Sequence, residues 1–233
     1  MRVKFAVLAA LVAAPLVAQQ PAETPEQKVA AIKQSVAENQ MALRKYQWLQ
    51  STTIAYNGEV KNTVVNSCAY SAPTPKPVCT EVSSTPAEKP SGGPLKRKMI
   101  EKKIAEMKAY MDSVKMLVGE YVPPEGEKIQ AAMAQGNVAV APNPSAGAVS
   151  IIISNYFQPG DKVTLILSDP ARKIRAVNIA TFLGDPSQVV TVSVNFAQLP
   201  DGTRYAQKKT LSAAAEGITV TTTSTGFALA VGN

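Results

Sequence analysis

From residue 148 to the end of the chain the apolar residues recur with a period of two, and the turn signals between these runs lie close together. In KVTLILSD, Val163, Leu165 and Leu167 share a face; in VVTVSVNFAQL, Val190, Val192, Val194 and Phe196 share one, with Thr191, Ser193 and Asn195 opposite. GITVTTTST continues the alternation. Pro159-Gly160-Asp161, Asp169-Pro170, Gly184-Asp185-Pro186 and Pro200-Asp201-Gly202 mark the breaks. A parallel neighbour needs a crossover of about a dozen or more residues, and runs that repeat every 8–15 residues or so leave no room for one. About six antiparallel strands over 148–229 are therefore expected.

The part before residue 148 reads differently. Thr24-Pro25-Glu26-Gln27 has the form of a helix start, with Thr as N-cap, Pro in the first turn and Gln closing a capping box. Val29, Ile32, Val36, Leu43 and Tyr46 then follow at helical steps, with Asn39 in the gap. Residues 47–56 and 59–70 are rich in Thr, Val, Ile, Tyr and Trp, and Asn57-Gly58 between them predicts a hairpin. Cys68 and Cys79 flank a proline-rich stretch without CxxC spacing; an even pair in an exported chain predicts a disulfide, worth about 2–3 kcal/mol for so short a loop. A hairpin with its disulfide loop is assigned to 47–82, and a flexible linker to 83–94.

A helical segment over 95–136 follows. Ile100, Ile104, Met107, Met111, Val114, Val118 and Tyr121 alternate steps of four and three, a narrow seam suited to packing on a helix or sheet. Pro123-Pro124 ends it, a short helix is expected over 125–135 with Gly136 as its cap, and 138–147 reads as a linker. Helices set apart from a meandering sheet make an α+β fold: a curved antiparallel sheet, an open half-barrel, covered by an N-terminal helix and a central helical segment.

The first eighteen residues, MRVKFAVLAALVAAPLVA, place Arg2 and Lys4 before an apolar run too short to span a bilayer. They predict a cleaved signal peptide over 1–18, then a single soluble domain over 19–233, exported to the periplasm, with no cysteine after the apolar run for lipid attachment. A 45% hydrophobic, 18% charged composition is that of a folded chain.

Chemistry is scarce. The chain has no histidine, which removes His-based nucleophile triads and His-ligated zinc. Neither a nucleophile elbow nor a phosphate-cradling glycine loop is present. Asp161, Asp169, Asp185 and Asp201 each sit in a Pro/Gly turn, where an aspartate serves the backbone. The expectation is a protein that is not an enzyme and takes no cofactor or metal. Trp48, Tyr56, Tyr70, Phe157, Phe182 and Phe196 are read as packing residues, and Met99, Met107, Met111 and Met116 either as core or as an adaptable apolar lining.

In the last third, VTLILSDPARKIRAVNIATFL…VVTVSVNFAQLPDGTRYAQKKTLSAAAEGITVTTTS resembles the back half of LolA-like lipoprotein carriers, with its Asp-Pro turn, Leu-Pro-Asp-Gly corner and Thr/Val strands. The opening helix and long hairpin fit the same family. The resemblance implies an exported protein without catalytic residues, its open curved sheet holding acyl chains beneath helices; envelope-stress sensors share such a sheet. The cysteine loop and the Met-rich helix depart from that pattern, and none of Arg172, Arg175 or Arg204 is matched to the family's functional arginine.

Two functions follow as expectations. One is a periplasmic binding protein carrying or sensing a lipid-like apolar ligand, such as lipid or lipoprotein acyl chains, lined by Ile104, Met107, Met111 and Val114. The other is a non-catalytic envelope protein that docks a partner through the same seam. Export removes nucleic acid as the partner of the basic cluster Lys96, Arg97 and Lys98, which reads either as a solvated helix face or as a contact for an anionic membrane surface or another envelope protein.

Overall fold

A computed structural model describes residues 25–71, 74, 76–85, 93–122, 124–143, 147–168 and 173–230, the side chains of 25–29 and 31–33 excepted. The expected signal segment, the Thr24 cap, the Asp169-Pro170 turn and Arg172 lie outside them. Helix α1 (Pro25–Leu43) leads into strands β1 (Tyr46–Tyr56), β2 (Glu59–Tyr70) and β3 (Pro77–Ser84). Helices α2 (Pro94–Gly119) and α3 (Gly126–Ala134) follow. The chain then runs through β4 (Val138–Pro142), β5 (Ala148–Ser154), β6 (Lys162–Ser168), β7 (Ile174–Phe182), β8 (Val189–Gln198), β9 (Arg204–Ala213) and β10 (Ile218–Leu229).

All ten strands form one antiparallel sheet in the order β3-β2-β1-β10-β9-β8-β7-β6-β5-β4, with β3 and β4 as free edges, so the sheet does not close into a barrel. The six strands expected beyond residue 148 are present. The hairpin turn is as expected too: Asn57 and Gly58 both take positive φ, 50° and 81°, the pair of left-handed residues that matches strand twist. Five of the nine strand pairs carry a bulge or irregularity, each of which bends its strand.

Because β3 and β4 lie at opposite edges, the chain between them must cross the whole sheet. Nine inter-strand gaps make a width of about 43 Å, and the 26 residues of α2 extend about 39 Å. Helix α2 is thus long enough to make nearly the whole of that crossing, and α3 follows it in the chain. Gly136, at φ 72°, closes α3: its N–H donates to Met133 O at 3.0 Å and the Asn137 N–H to Ala132 O at 2.8 Å, a Schellman end.

Two elements differ from the sequence reading. Residues 77–84 form edge strand β3 rather than loop and linker, because the Cys68–Cys79 disulfide joins directly opposed residues of β2 and β3. Residues 138–142 form edge strand β4 rather than a linker; Pro142 is tolerated as its last residue because an edge strand has one side free of ladder bonds.

Register fixes the two faces. Val138, Ile153, Val163, Ile179, Val192, Leu211, Val220 and Ile54 stand opposite one another in turn across eight strands. The neighbouring row on the other face is Thr164, Asn178, Ser193, Thr210, Thr221, Thr53 and Thr63. The alternation of aliphatic and hydroxyl residues thus becomes one greasy face and one polar face. The core lies where the end of α2 and α3 press on the greasy side: Tyr121 and Ala132 pack with Ile153, Val163, Ile179 and Val192, supported by Leu117, Val118 and Ile129.

Candidate functional site

Cover over the greasy face is uneven. Along the apolar row Ile153, Val163, Ile179 and Val192 are buried; Leu211 and Val220 are half-buried; Ile54 is 40% exposed. The face therefore opens progressively from β8 toward β1.

The α2 seam is uneven in the same sense. Val114 is fully buried, Met107 and Met111 are half-buried, and Ile104 is 58% exposed. Further back, Leu95 and Met99 are 79% and 70% exposed. The seam expected to line a ligand is thus core at one end and free surface at the other. Lys96, Arg97 and Lys98 are exposed in the first turns of the helix, next to Leu95 and Met99 rather than behind them.

The buried end of α2 is held by a polar latch. The Tyr121 hydroxyl donates to Asp161 Oδ2 at 2.7 Å and lies 2.8 Å from Thr181 Oγ1. Asp161 is 2% exposed and also accepts the backbone N–H groups of Tyr156, Phe157 and Gln158 at 2.6–2.9 Å. A buried carboxylate is tolerable only when it is so fully satisfied. Its turn role is the one read from sequence, and Asp185 and Asp201 likewise bind the backbone N–H groups two residues on. Burial, opposed by the Thr181 bond and reinforced by the Asp161 bond, holds the Tyr121 hydroxyl well above its ordinary range.

At the opposite end of the strands, α1 is fastened to β9. Asn39 Nδ2 donates to Arg204 O at 2.8 Å, and the Arg204 N–H donates to Asn39 Oδ1 at 2.6 Å. This explains the polar residue in the helix stripe. Nearby, Phe227 stacks on Trp48 (5.5 Å) and meets Tyr205 (4.2 Å), and Arg44 lies 5.8 Å over the Tyr70 ring. Trp48 is buried, as its packing role required, whereas Phe157 is 45% exposed and shares the Lys128 ammonium with Tyr156.

Between these two fastenings lies a second row of the greasy face: Ile151, Leu165, Val177, Val194, then Lys209, Thr222, Thr52 and Val64. Lys209 is where the aliphatic run stops. The sequence carried a signal for it, since in Lys208-Lys209 one side chain must point to each face of a strand. A depression lies elsewhere, on the polar face among Thr164, Asn178, Thr191, Ser193 and Thr210. It is a shallow, open dip that Lys162, Ile179, Ala180 and Val192 also line.

Among the described residues no group of three or more His, Cys, Asp or Glu is placed to hold a metal, and no helix is long and apolar enough to cross a membrane. No family model matches the sequence, and no curated protein matches it. Among solved structures the chain is similar to a DUF1329 family protein from Desulfovibrio piger, at 8% identity and a TM-score of 0.40, with 88% of this chain and 93% of that one covered. It is also similar to a LolA superfamily protein from Nitrosomonas europaea, at 10% identity and a TM-score of 0.34, covering 86% and 94%. The chain thus bears a weak structural resemblance to LolA-superfamily and DUF1329 folds.

Proposed function

We propose that this is an exported binding protein that holds a lipid-like apolar ligand against the uncovered part of its greasy sheet face, under the middle of α2. The observation that carries the reading is the gradient of cover along the apolar row. The same aliphatic register is sealed at Ile153, Val163 and Ile179 and left open at Ile54. Exposed aliphatic surface of this kind is costly to hydrate, at about 25 cal/mol per Å², and a contiguous patch marks a place where something binds. Half-buried Met107 and Met111 suit an adaptable lid, since methionine fills irregular apolar space. Export rests on the N-terminal segment, and N-terminal sequencing of the secreted chain tests it directly.

Native mass spectrometry and solvent extraction of protein purified from the periplasm test the ligand. Co-purifying alkyl-chain molecules, lost when Ile54 and Val220 are replaced by Ser, are expected. A protein that is always empty and binds no alkyl-chain probe overturns the reading. The second reading, a non-catalytic envelope protein that docks a partner through α2, draws on the exposure of Leu95 and Met99. It would survive that result, and cross-linking from position 99 would identify the partner.

A further inference from the structure

The greasy face contains one group that an apolar ligand alone does not explain. Lys209 stands in register between Val194 of β8 and Thr222 of β10, with Leu211 next on the same face of its own strand. Among the described residues no carboxylate lies within ion-pair distance of it. Its surface is open to solvent, yet protein surrounds it closely enough that desolvation lowers its pKa. Lys209 is thus an exposed cation set among the apolar and hydroxyl side chains of the greasy face. Crowding disfavours its charged form.

Arg204, on β9 at the α1 end of the same face, adds a second positive charge with no carboxylate within ion-pair distance among the described residues. Its Nη1 donates only to the Ile174 carbonyl at 2.9 Å, and its buried Nε has no partner. The two charges belong to positions 204 and 209, about 13–16 Å apart along the strand, between the α1 fastening and the α2 latch. Thr52 and Thr222, whose hydroxyls are 3.2 Å apart, continue the Lys209 row and supply neutral hydrogen-bonding groups beside it.

We propose that the ligand of this face is an anionic amphiphile, its carboxylate or phosphate head seated on the Lys209 ammonium beside Thr222 and its alkyl chain lying along Leu211, Val220 and Ile54. This rests on the apolar-ligand reading above and gives it a chemical class. A head with a full negative charge restores to Lys209 the counter-charge the fold withholds, and charge-assisted bonds are about twice as strong as neutral ones. A neutral alkyl chain would leave the lysine desolvated and unpaired.

The test is titration of the full chain with laurate, dodecyl phosphate and dodecanol, for wild type, Lys209→Met and Lys209→Arg. Laurate or dodecyl phosphate should bind wild type about tenfold or more tighter than dodecanol, and whichever binds better identifies the head. Lys209→Met should reduce both anions to the level of dodecanol while leaving dodecanol unchanged, and Lys209→Arg should keep the preference. Thermal melts provide the folding control: Lys209→Met should melt no lower than wild type. If the three probes bind wild type equally, or Lys209→Met weakens all three alike, the anionic head is refuted while the apolar site stands. If none of the three binds, both readings fall.

Discussion

Replacing Tyr121 by Phe removes a single oxygen from the latch that holds the end of α2 to the sheet. The hydroxyl donates to Asp161 and meets Thr181; the ring packs against Tyr156 and Phe157 and is retained in the variant. A hydrogen bond to a charged group contributes about 1.5–3 kcal/mol. The lower part of that range applies here, because Asp161 keeps three backbone donors and Thr181 keeps the Gln158 amide at 2.9 Å. The expected loss is therefore about 1.5–2 kcal/mol, against about 3–5 kcal/mol for Tyr121→Ala, which also empties the ring site. Guanidinium unfolding measures both, with the midpoint falling and the slope unchanged.

The same substitution has a signature in pH. The Tyr121 pKa is raised in the fold, chiefly by burial, so the stability this contributes is fully present below the unfolded value of about 10 and is lost as pH rises above it. Phe cannot ionise, so the gap between wild type and variant should narrow in alkaline solution. Tyr156, also raised by burial, keeps some alkaline sensitivity in both proteins. A loss below about 0.5 kcal/mol at neutral pH, the range of an ordinary surface change, would mean that the oxygen is not buried against a carboxylate and that α2 is not anchored there. Alkyl-chain binding should survive Tyr121→Phe, since the latch lies at the sealed end of the face.

Two further outcomes are expected. Gly217→Ala should destabilise by about 1–3 kcal/mol: φ there is +64° and a Cβ would fall on the Asn57 side chain, whose backbone N–H donates to Gly217 O. Gly58→Ala, at φ +81° with open space around it, should cost less, and equal midpoints for the two in urea would refute the contact between these turns. Replacing Lys96, Arg97 and Lys98 together by Gln should weaken co-sedimentation with anionic vesicles about tenfold or more at low salt and slightly stabilise α2 by relieving positive charge at its N-terminus; unchanged co-sedimentation would leave the cluster a solvated face.

Much of the fold was legible in the sequence because its determinants are local. The Asn57-Gly58 turn depends on two residues that accept positive φ, and the Val/Thr alternation depends on which side of a strand each residue must point. Gly136 ends α3 for a reason carried by that one residue. The turn aspartates work on N–H groups within five residues of themselves. Strands β3 and β4 were not legible, because both are edges whose pairing comes from a neighbour: β3 through a disulfide to Cys68, β4 through a register with β5.

What the sequence alone determined is the kind of fold: an antiparallel sheet with a greasy and a polar face, and amphipathic helices to cover it. What only the tertiary structure decided is how far α2 reaches. Ile104 and Val114 belong to the same heptad-like seam and are indistinguishable by pattern. Yet Val114 is sealed and Ile104 is free, because one helix of about 39 Å, latched at Tyr121, cannot lie flat along the whole of a bending sheet about 43 Å wide. The same geometry makes Lys209 informative. Strand alternation puts it on the greasy face, but only the tertiary structure leaves it, among the described residues, with no carboxylate within ion-pair distance.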